Sequence, residues 1–374
     1  MEKYYPSYWE KSVITKSFDF LILGAGLIGK QIALKLVKKY PKAKIGIIDR
    51  FPIPSGASTR NAGFICFGSP SELIDDLSRS NSEDVFNLVN KRFQGSRQLI
   101  QEFGSSSLDY QNNGGYETFE NEVEFEKVNN KIHEINDAMK HVTGLNQTYG
   151  VVDIQSFGFG YYNKSFYNPL EGQINTGLLN QALAYKISNT KVLTFYGFDV
   201  TQVSNSGNAC IIRADNGLEF ETKQLIVANN AFAKLLFKDL DIQPARGQVL
   251  ITKPIDGLNF KGTFHSDKGY IYFRNVENRL LIGGARNYFF EQENTFDMNT
   301  SDNVIDYLKQ YINTFILPQK SFEVDMQWSG IMAMGKEKLP IVKRENDSLI
   351  LCVRMGGMGV ALGPVLSDEV VDLC

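Results

Sequence analysis

The feature that most constrains this chain lies near its beginning, where a glycine-rich turn joins an apolar run to an amphipathic segment. Residues 18–23 read FDFLIL, a run of strand length, and GAGLIG follows at 24–29. Residues 30–39 then carry apolar side chains at helical spacing, and residues 44–49, KIGIID, form a second apolar run. Nearly continuous apolar strands are typical of a parallel sheet covered on both faces. The segment therefore predicts a strand–helix–strand unit at the start of a parallel sheet.

The turn in this unit has the spacing of a dinucleotide-binding motif. Gly24, Gly26 and Gly29 allow a tight turn, a close approach of pyrophosphate to the backbone and close packing of helix on strand. The helix N-terminus offers N–H groups and a positive dipole end to phosphates. Asp49 ends the second run about 20 residues after Gly29, where a carboxylate accepts from ribose hydroxyls. A carboxylate there would repel the 2′-phosphate of NADP, so NAD and FAD remain open.

The rest of the chain changes character twice. Residues 70–145 are polar with helical stretches, which indicates an insertion away from the nucleotide. Residues 175–233 are predicted to contain a helix at 176–187, a strand at 192–196 and a hairpin around the Asp215-Asn-Gly turn. Residues 242–290 alternate in strand fashion without intervening helices, which predicts an antiparallel sheet. Residues 349–364 again predict strand, glycine-rich turn and helix.

Composition excludes several classes of protein. The 374 residues carry 39 basic and 42 acidic side chains, so the net charge of −3 gives no electrostatic footprint for nucleic acid. The four cysteines and three histidines are scattered, which predicts neither a metal site nor a disulfide framework and favours a reducing, cytoplasmic location. The N-terminal stretch lacks the apolar core of a signal peptide, and no run approaches the roughly 18 apolar residues of a membrane span.

Short motifs spread over almost the whole chain resemble those of the flavin-dependent amine and amino-acid oxidoreductases of the D-amino acid oxidase type, which include glycine oxidase, sarcosine oxidase and D-amino acid dehydrogenases. Their order and spacing carry the resemblance. Beside the motif at 24–29, the matching pieces are SYW at 7–9, STRNAG at 58–63, QINT at 173–176, VANNA at 227–231, PARGQ at 244–248, YIYFR at 270–274, GG at 283–284, WSG at 328–330, Pro340 and GGMGVALGP at 356–364.

The resemblance implies a mixed α/β and α+β architecture. It predicts a Rossmann-like FAD-binding domain assembled from residues 17–90, 151–235 and 325–374, and a substrate domain built on an antiparallel sheet from residues 91–150 and 236–324. Asn230 stands where relatives carry a glycine. Asparagine is the other residue that best tolerates a left-handed backbone, so the turn is expected to persist.

The resemblance also implies FAD as cofactor. The loop at 57–64 is expected to run beneath the flavin, since its small side chains let the backbone approach a ligand closely, and Ser58 and Thr59 could donate to a phosphate or cap a helix. The helix after the last glycine-rich turn is expected to stabilise negative charge on reduced flavin. The predicted cofactor-binding residues are Gly24, Ala25, Gly26, Leu27, Ile28, Gly29, Asp49, Arg50, Ser58, Thr59, Arg60, Asn61, Ala62, Gly63, Phe64, Val200, Ala228, Gly356, Gly357, Met358, Gly359 and Val360.

The predicted substrate site departs from the family pattern. Met332 stands where glycine-oxidase-like members carry an arginine that holds the substrate carboxylate, and a second family arginine is missing from the turn at 356–358. Arg286 and Lys268 are the cations expected near the flavin face. Tyr270 and Tyr272 are expected to differ in orientation, with Tyr270 favoured to face the pocket. Sarcosine-oxidase-like members attach flavin to a cysteine near position 332, and since no cysteine lies between Cys210 and Cys352, the FAD is predicted to be non-covalent.

These observations lead to one hypothesis with alternatives. The leading function is oxidation of a C–N bond in an amine or amino acid, by hydride transfer to flavin N5 and with oxygen or a quinone-type carrier as electron acceptor. Because the expected arginines are missing, a flavoprotein acting on a 2-hydroxy acid or on a bulky modified-nucleotide amine remains open. So does a non-catalytic FAD-binding module.

Overall fold

A computed structural model describes residues 4–206 and 209–374. The first three residues of the N-terminal stretch considered above lie outside the described residues. Contacts divide the chain into two compact units. The first unit comprises Met1–Thr59, Gly177–Ala245 and Ile331–Cys374, and the second comprises Arg60–Thr176 and Arg246–Gly330.

The strands are given in chain order. They are β1 Phe18–Leu23, β2 Ile45–Asp49, β3 Phe64–Ile65, β4 Gly115–Glu117, β5 Gly150–Asp153, β6 Lys164–Asn168, β7 Gly172–Gln173, β8 Leu193–Tyr196, β9 Val200–Ser206, β10 Ala209–Ala214, β11 Glu219–Val227, β12 Gln243–Thr252, β13 Thr263–Ser266, β14 Ile271–Val276, β15 Arg279–Gly284, β16 Val324–Met334, β17 Ile341–Asn346 and β18 Leu349–Val353.

The helices follow the same order. They are α1 Leu27–Lys39, α2 Ala57–Arg60, α3 Pro70–Leu77, α4 Ser82–Phe103, α5 Ser105–Leu108, α6 Glu122–Asn129, α7 Ile132–Thr143, α8 Thr176–Ser188, α9 Ala233–Leu236, α10 Phe290–Glu293, α11 Asp302–Tyr311 and α12 Gly359–Leu373. Among the described residues, no helix is both long enough and apolar enough to span a bilayer.

The first unit is organised around a sheet with the strand order β17-β18-β11-β1-β2-β8. Strands β18, β11, β1, β2 and β8 pair in parallel, and β17 is antiparallel to β18. The central strands are buried along almost their whole length, as the apolar runs predict. The predicted strand–helix–strand unit is therefore confirmed. The predicted hairpin is confirmed as well, because β10 and β11 pair antiparallel across the Asp215-Asn-Gly turn.

Helices α1 and α12 pack together on this sheet. Lys35 of α1 donates from Nζ to the Pro364 carbonyl at 2.6 Å and forms an ion pair with Asp368 at 2.5 Å. A Cβ on Gly363 would lie 3.0 Å from the Gln31 side chain, so a glycine there lets the two helices approach closely. The glycine-rich segment at 356–364 therefore ends in a helix that packs directly against the helix of the dinucleotide motif.

The second unit is built on an eight-stranded sheet with the order β16-β12-β15-β14-β13-β4-β6-β5. The antiparallel pairing predicted for residues 242–290 is confirmed, since β12, β14 and β15 pair antiparallel. Strand β13 pairs in parallel with β4, which makes the sheet mixed. Its core contains stacked aromatic rings: Phe264 and Phe273 lie 4.8 Å apart with an interplanar angle of 5°.

The units divide the chain at other points than the predicted domain boundaries. The second unit contains residues 60–90, 151–176 and 325–330, which the family resemblance assigns to the FAD-binding domain, and the first unit contains residues 236–245, which it assigns to the substrate domain. One reason is that α3 and α4 bury Leu73 and Val85 in a cluster with Phe119, Phe125 and Phe166. Another is that β5 and β6 extend the sheet of the second unit.

Candidate functional site

The turn before α1 has the backbone that its glycines permit. Gly24 has φ +114°, and a Cβ there would lie 2.8 Å from the carbonyl oxygen of Ala228 at the end of β11. A Cβ on Gly26 would lie 2.8 Å from the Ser58 hydroxyl, and one on Gly29 would clash with the Gly24 carbonyl. The turn therefore leaves a backbone cradle at the helix N-terminus that side chains would fill.

Asp49 is held at the same helix N-terminus. Its Oδ2 accepts from the Ala25 N–H at 2.7 Å, and its Oδ1 accepts from the Phe51 N–H at 3.1 Å. A carboxylate has about four acceptor positions, so these two bonds leave capacity for ribose hydroxyls. Arg50 stacks over Phe232 at 4.5 Å and lies 3.8 Å from Asp199, which makes it an anchored surface cation beside the turn.

Ser58 and Thr59 are engaged in structural hydrogen bonds. Ser58 Oγ accepts from the Leu27 N–H at 2.9 Å, so the hydroxyl caps the N-terminus of α1. The Ser58 carbonyl accepts from Asn180 Nδ2 of α8 at 2.9 Å. Thr59 Oγ1 donates to the Pro54 and Gly56 carbonyls at 3.0 and 3.3 Å. The start of the predicted flavin loop is thereby fixed to the dinucleotide turn.

The second glycine-rich turn, at 356–359, adjoins Met332. Gly356 and Gly357 have φ values of +57° and +82°, and a Cβ on Gly357 would lie 3.3 Å from Met332 Sδ. The arginine just before this turn is committed elsewhere: Arg354 donates to the Leu339 carbonyl at 2.8 Å and pairs with Asp241 at 2.5 Å. It is therefore not a free replacement for the family arginine missing from the turn.

Asn230 adopts the left-handed backbone expected of a glycine substitute, with φ +52°. Its Oδ1 also accepts from the Arg354 and Met355 N–H groups at 3.2 and 3.3 Å. The asparagine thus ties the turn after β11 to the start of the turn after β18. Val200 and Ala228, predicted cofactor neighbours in this unit, are both buried.

Residues 60–64 begin the second unit and pack against its sheet. Arg60 donates from Nη1 to the Ser329 carbonyl at 2.8 Å, and Trp328 Nε1 donates to the Arg60 carbonyl at 2.9 Å. Asn61 Oδ1 accepts from the Gly63 N–H at 2.9 Å. The Phe64 ring lies edge-on to Tyr272 at 5.8 Å.

Three of the predicted substrate-site residues can be compared within the second unit. Tyr270 precedes β14 and lies edge-on to Phe290 at 5.9 Å, while the Arg286 guanidinium lies over the same Phe290 ring at 4.7 Å. Lys268 is half exposed and pairs with Asp75 at 3.2 Å. Tyr270 and Arg286 are therefore brought together, whereas Lys268 is an ion-paired surface cation. Tyr272, with different neighbours from Tyr270, has its pKa raised to about 12 by burial.

Arg286 keeps unused donor capacity. Its Nη2 donates to Asn294 Oδ1 at 2.7 Å, whereas its Nε is buried without a hydrogen-bond partner. Burial lowers the pKa of Arg286, opposed by Tyr270 and Glu293. A buried guanidinium N–H without an acceptor is costly, and an anionic ligand would supply one.

Sequence reasoning missed several buried polar residues. Arg274 lies behind the 60–64 loop, where its Nη2 donates to the Ile174 carbonyl at 3.1 Å and would lie 2.9 Å from a Cβ on Gly63. His265 lies 3.5 Å from Glu171 in the interior of the second unit. Lys30 is buried in α1. The sequence did offer a signal for Lys30, because it is a charged residue within a helix segment that is otherwise buried.

The first unit therefore has a parallel sheet with a dinucleotide-type glycine turn, and the second unit is built on a mixed sheet that is largely antiparallel. A family model of FAD-dependent oxidoreductases, DAO, matches residues 19–373, and this chain belongs to that family. The enzyme is an FAD-dependent oxidoreductase. The cradle at 24–29 and the remaining acceptor capacity of Asp49 are what the ADP part of the cofactor would need.

Individual relatives are distant. The chain is 23% identical over 377 residues to glycine oxidase of Geobacillus kaustophilus, covering 96% of this chain and 93% of that one. It is 24% identical over 234 residues to L-2-hydroxyglutarate dehydrogenase of Escherichia coli K12, covering 61% of this chain and 51% of that one. The structure of L-proline dehydrogenase from P. horikoshii has a TM-score of 0.77 at 16% identity, covering 96% and 93% of the two chains. The last similarity confirms the fold.

Proposed function

We propose that this FAD-dependent oxidoreductase oxidises the C–N bond of a small amino acid or other carboxylate-bearing amine. The observation that carries the proposal is Arg286, a half-buried guanidinium with an unbonded Nε that lies over the Phe290 ring, which Tyr270 contacts in turn. A substrate carboxylate would satisfy this donor with a charge-assisted hydrogen bond. Arg286 would then take the role of the arginine that Met332 replaces.

The protein's part in such a reaction is orientation and exclusion of water. Arg286 would hold the carboxylate, and Tyr270 and Phe290 would shield the bound group from solvent. Bound FAD would accept the hydride that leaves the carbon next to the nitrogen. The nitrogen lone pair of the neutral amine would form the C=N bond as the hydride leaves, which gives an iminium ion that water would hydrolyse after release.

The similarity to L-2-hydroxyglutarate dehydrogenase favours a second candidate, oxidation of a 2-hydroxy acid. Arg286 would bind the carboxylate of either substrate class, so the distinction lies in the atom attached to the reacting carbon. The alternative therefore differs from the leading proposal in one testable respect.

The deciding experiment is anaerobic flavin reduction with matched substrates. Pairs of compounds that share a carbon skeleton and carboxylate, one with a 2-amino and one with a 2-hydroxy group, are mixed with the FAD-loaded enzyme. Loss of visible flavin absorbance with the amino member only supports C–N oxidation. Reduction only by the hydroxy members would reject it.

A further inference from the structure

Lys30 is the buried cation of the dinucleotide-binding helix. It directly follows Gly29 in α1, and only 1% of its surface is exposed. Its Nζ has no hydrogen-bond partner. An ammonium group has three hydrogen-bond donors, and burying it without acceptors costs free energy. A ligand that supplied hydrogen-bond acceptors would remove this cost at Lys30.

Two other lysines of α1 have ammonium groups that form hydrogen bonds within the protein. Lys35 donates to the Pro364 carbonyl at 2.6 Å and pairs with Asp368 at 2.5 Å. Lys39 donates to the Val371 carbonyl at 2.7 Å. Both reach α12 and are far more exposed than Lys30. Lys30 therefore differs from its neighbours in both burial and pairing.

The position of Lys30 on α1 places its ammonium group within the electrostatic reach of Asp49 at the N-terminal end of the helix. Side chains on a helix lean toward its N-terminus, and Lys30 lies within the first turns of a 13-residue helix. Asp49, whose carboxylate accepts from the Ala25 N–H at this end, acts electrostatically on Lys30. Burial lowers the pKa of Lys30, and the Asp49 charge opposes that shift.

We infer that Lys30 contributes to binding the diphosphate of FAD at the Gly24–Gly29 turn, so that the cofactor would supply the hydrogen-bond acceptors that Lys30 Nζ lacks in the protein alone. The diphosphate carries the charge that matches an ammonium group, and the turn and helix N-terminus bring it to this place. The inference rests on membership of the FAD-dependent family and is independent of whether the substrate is an amine.

Equilibrium binding to the apoprotein tests this assignment without turnover. FAD, ADP and adenosine are titrated against wild type and Lys30→Met, whose unbranched side chain is one atom shorter and carries no charge. We expect FAD and ADP to bind roughly 10- to 100-fold more weakly, the range for a lost hydrogen bond to a charged group. Adenosine affinity is expected to stay unchanged.

Apoprotein stability provides a second readout of opposite sign. Removing an unpaired buried charge should raise the unfolding temperature of the Lys30→Met apoprotein, although cofactor affinity falls. Lys35→Met is the matched control: it should lower stability through its lost pairing with α12 and leave the ratio of ADP to adenosine affinity unaltered. Lys30→Arg, which retains the charge, should keep most of that ratio.

Two results would overturn the inference. One is an ADP affinity that survives Lys30→Met, or that falls together with adenosine affinity. The other is a loss of apoprotein stability in Lys30→Met with an unaltered ligand ratio, which would mean that Lys30 pairs with Asp49 in the free protein. Should Lys30→Met fail to fold, Lys30→Gln gives the same comparison. A wild-type protein that binds neither FAD nor ADP would instead contradict the cofactor assignment.

Discussion

Replacing Gly26 by alanine separates a packing role from a cofactor role at the centre of the dinucleotide turn. Gly26 has φ −74°, which alanine adopts without strain, so the consequence of Gly26→Ala is steric. The new Cβ would lie 2.8 Å from Ser58 Oγ, which accepts from the Leu27 N–H at 2.9 Å. Because Asn180 holds the Ser58 carbonyl at 2.9 Å, the hydroxyl has to rotate away rather than the loop retreat.

The rotation of the Ser58 hydroxyl determines how much stability Gly26→Ala should lose. Losing the bond from the Leu27 N–H costs about 1 kcal/mol of unfolding free energy. In a Ser58→Ala background the added methyl would meet only the Cβ at position 58, at 3.8 Å, which is ordinary contact. The second substitution should then cost little, so a double-mutant cycle is expected to give a coupling of about 1 kcal/mol between positions 26 and 58.

Cofactor binding should behave differently from stability. In the dinucleotide motif the second glycine lets pyrophosphate approach the backbone, so a methyl group at position 26 would hinder that approach whatever residue occupies position 58. We therefore expect FAD to bind at least roughly 10-fold more weakly in both backgrounds, as for one lost charge-assisted bond. Urea unfolding of the apoproteins and titration with FAD measure the two effects. If the double variant regained wild-type FAD affinity, Gly26 would serve only the packing of Ser58, and the reasoning would be refuted.

Three further predictions concern the second unit. Arg246→Leu leaves the buried Glu293, which Arg246 contacts at 2.8 Å, without its ion-pair partner. The unfolding free energy, measured with urea, should fall by about 3–5 kcal/mol, whereas replacing both residues by leucine should lower it less. Burial raises the pKa of Glu117 from the ordinary value of 4.5 to about 7, so folding favours the protonated carboxyl; the stability this provides is full below pH 4.5 and is lost as the pH rises through 7. Glu117→Gln should remove up to about 3 kcal/mol of this pH dependence of the unfolding free energy. An unchanged pH dependence in the variant would contradict the raised pKa. Arg286→Met should raise KM for a carboxylate substrate roughly 10- to 100-fold, while the control Lys268→Met, at an exposed ion pair, should leave it nearly unchanged; equal effects would reject Arg286 as the carboxylate ligand.

Sequence patterns predicted the nucleotide-binding elements because their signals are local. The apolar runs at 18–23 and 44–49, the glycines between them and the Asp215-Asn-Gly turn each determine structure within a few residues, and all are confirmed. The left-handed Asn230 was predicted on the same basis. By contrast, the pairing of β13 with β4 joins strands separated by a long stretch of chain, and periodicity carries no information about such partners.

The candidate site was predictable only in part for the same reason. The sequence identified Arg286 and Lys268 as candidate substrate-binding cations but could not show which is the better candidate. The difference is that Lys268 pairs with Asp75 whereas Arg286 lies over Phe290, and both contacts arise only in the fold. The unpaired ammonium of Lys30 depends on burial and on missing partners, neither of which a motif records. Boundaries of the two units likewise follow from packing of α3, α4, β5 and β6 rather than from composition.

The two hydrogen bonds accepted by Asn230 have a consequence for which amino acids this position tolerates. Glycine would adopt the left-handed φ more readily, yet it has no side chain to accept from the Arg354 and Met355 N–H groups. Larger residues could offer an acceptor only at the cost of backbone strain. Asparagine and aspartate are therefore the residues that suit position 230, and a substitution by glycine would loosen the turn that precedes α12.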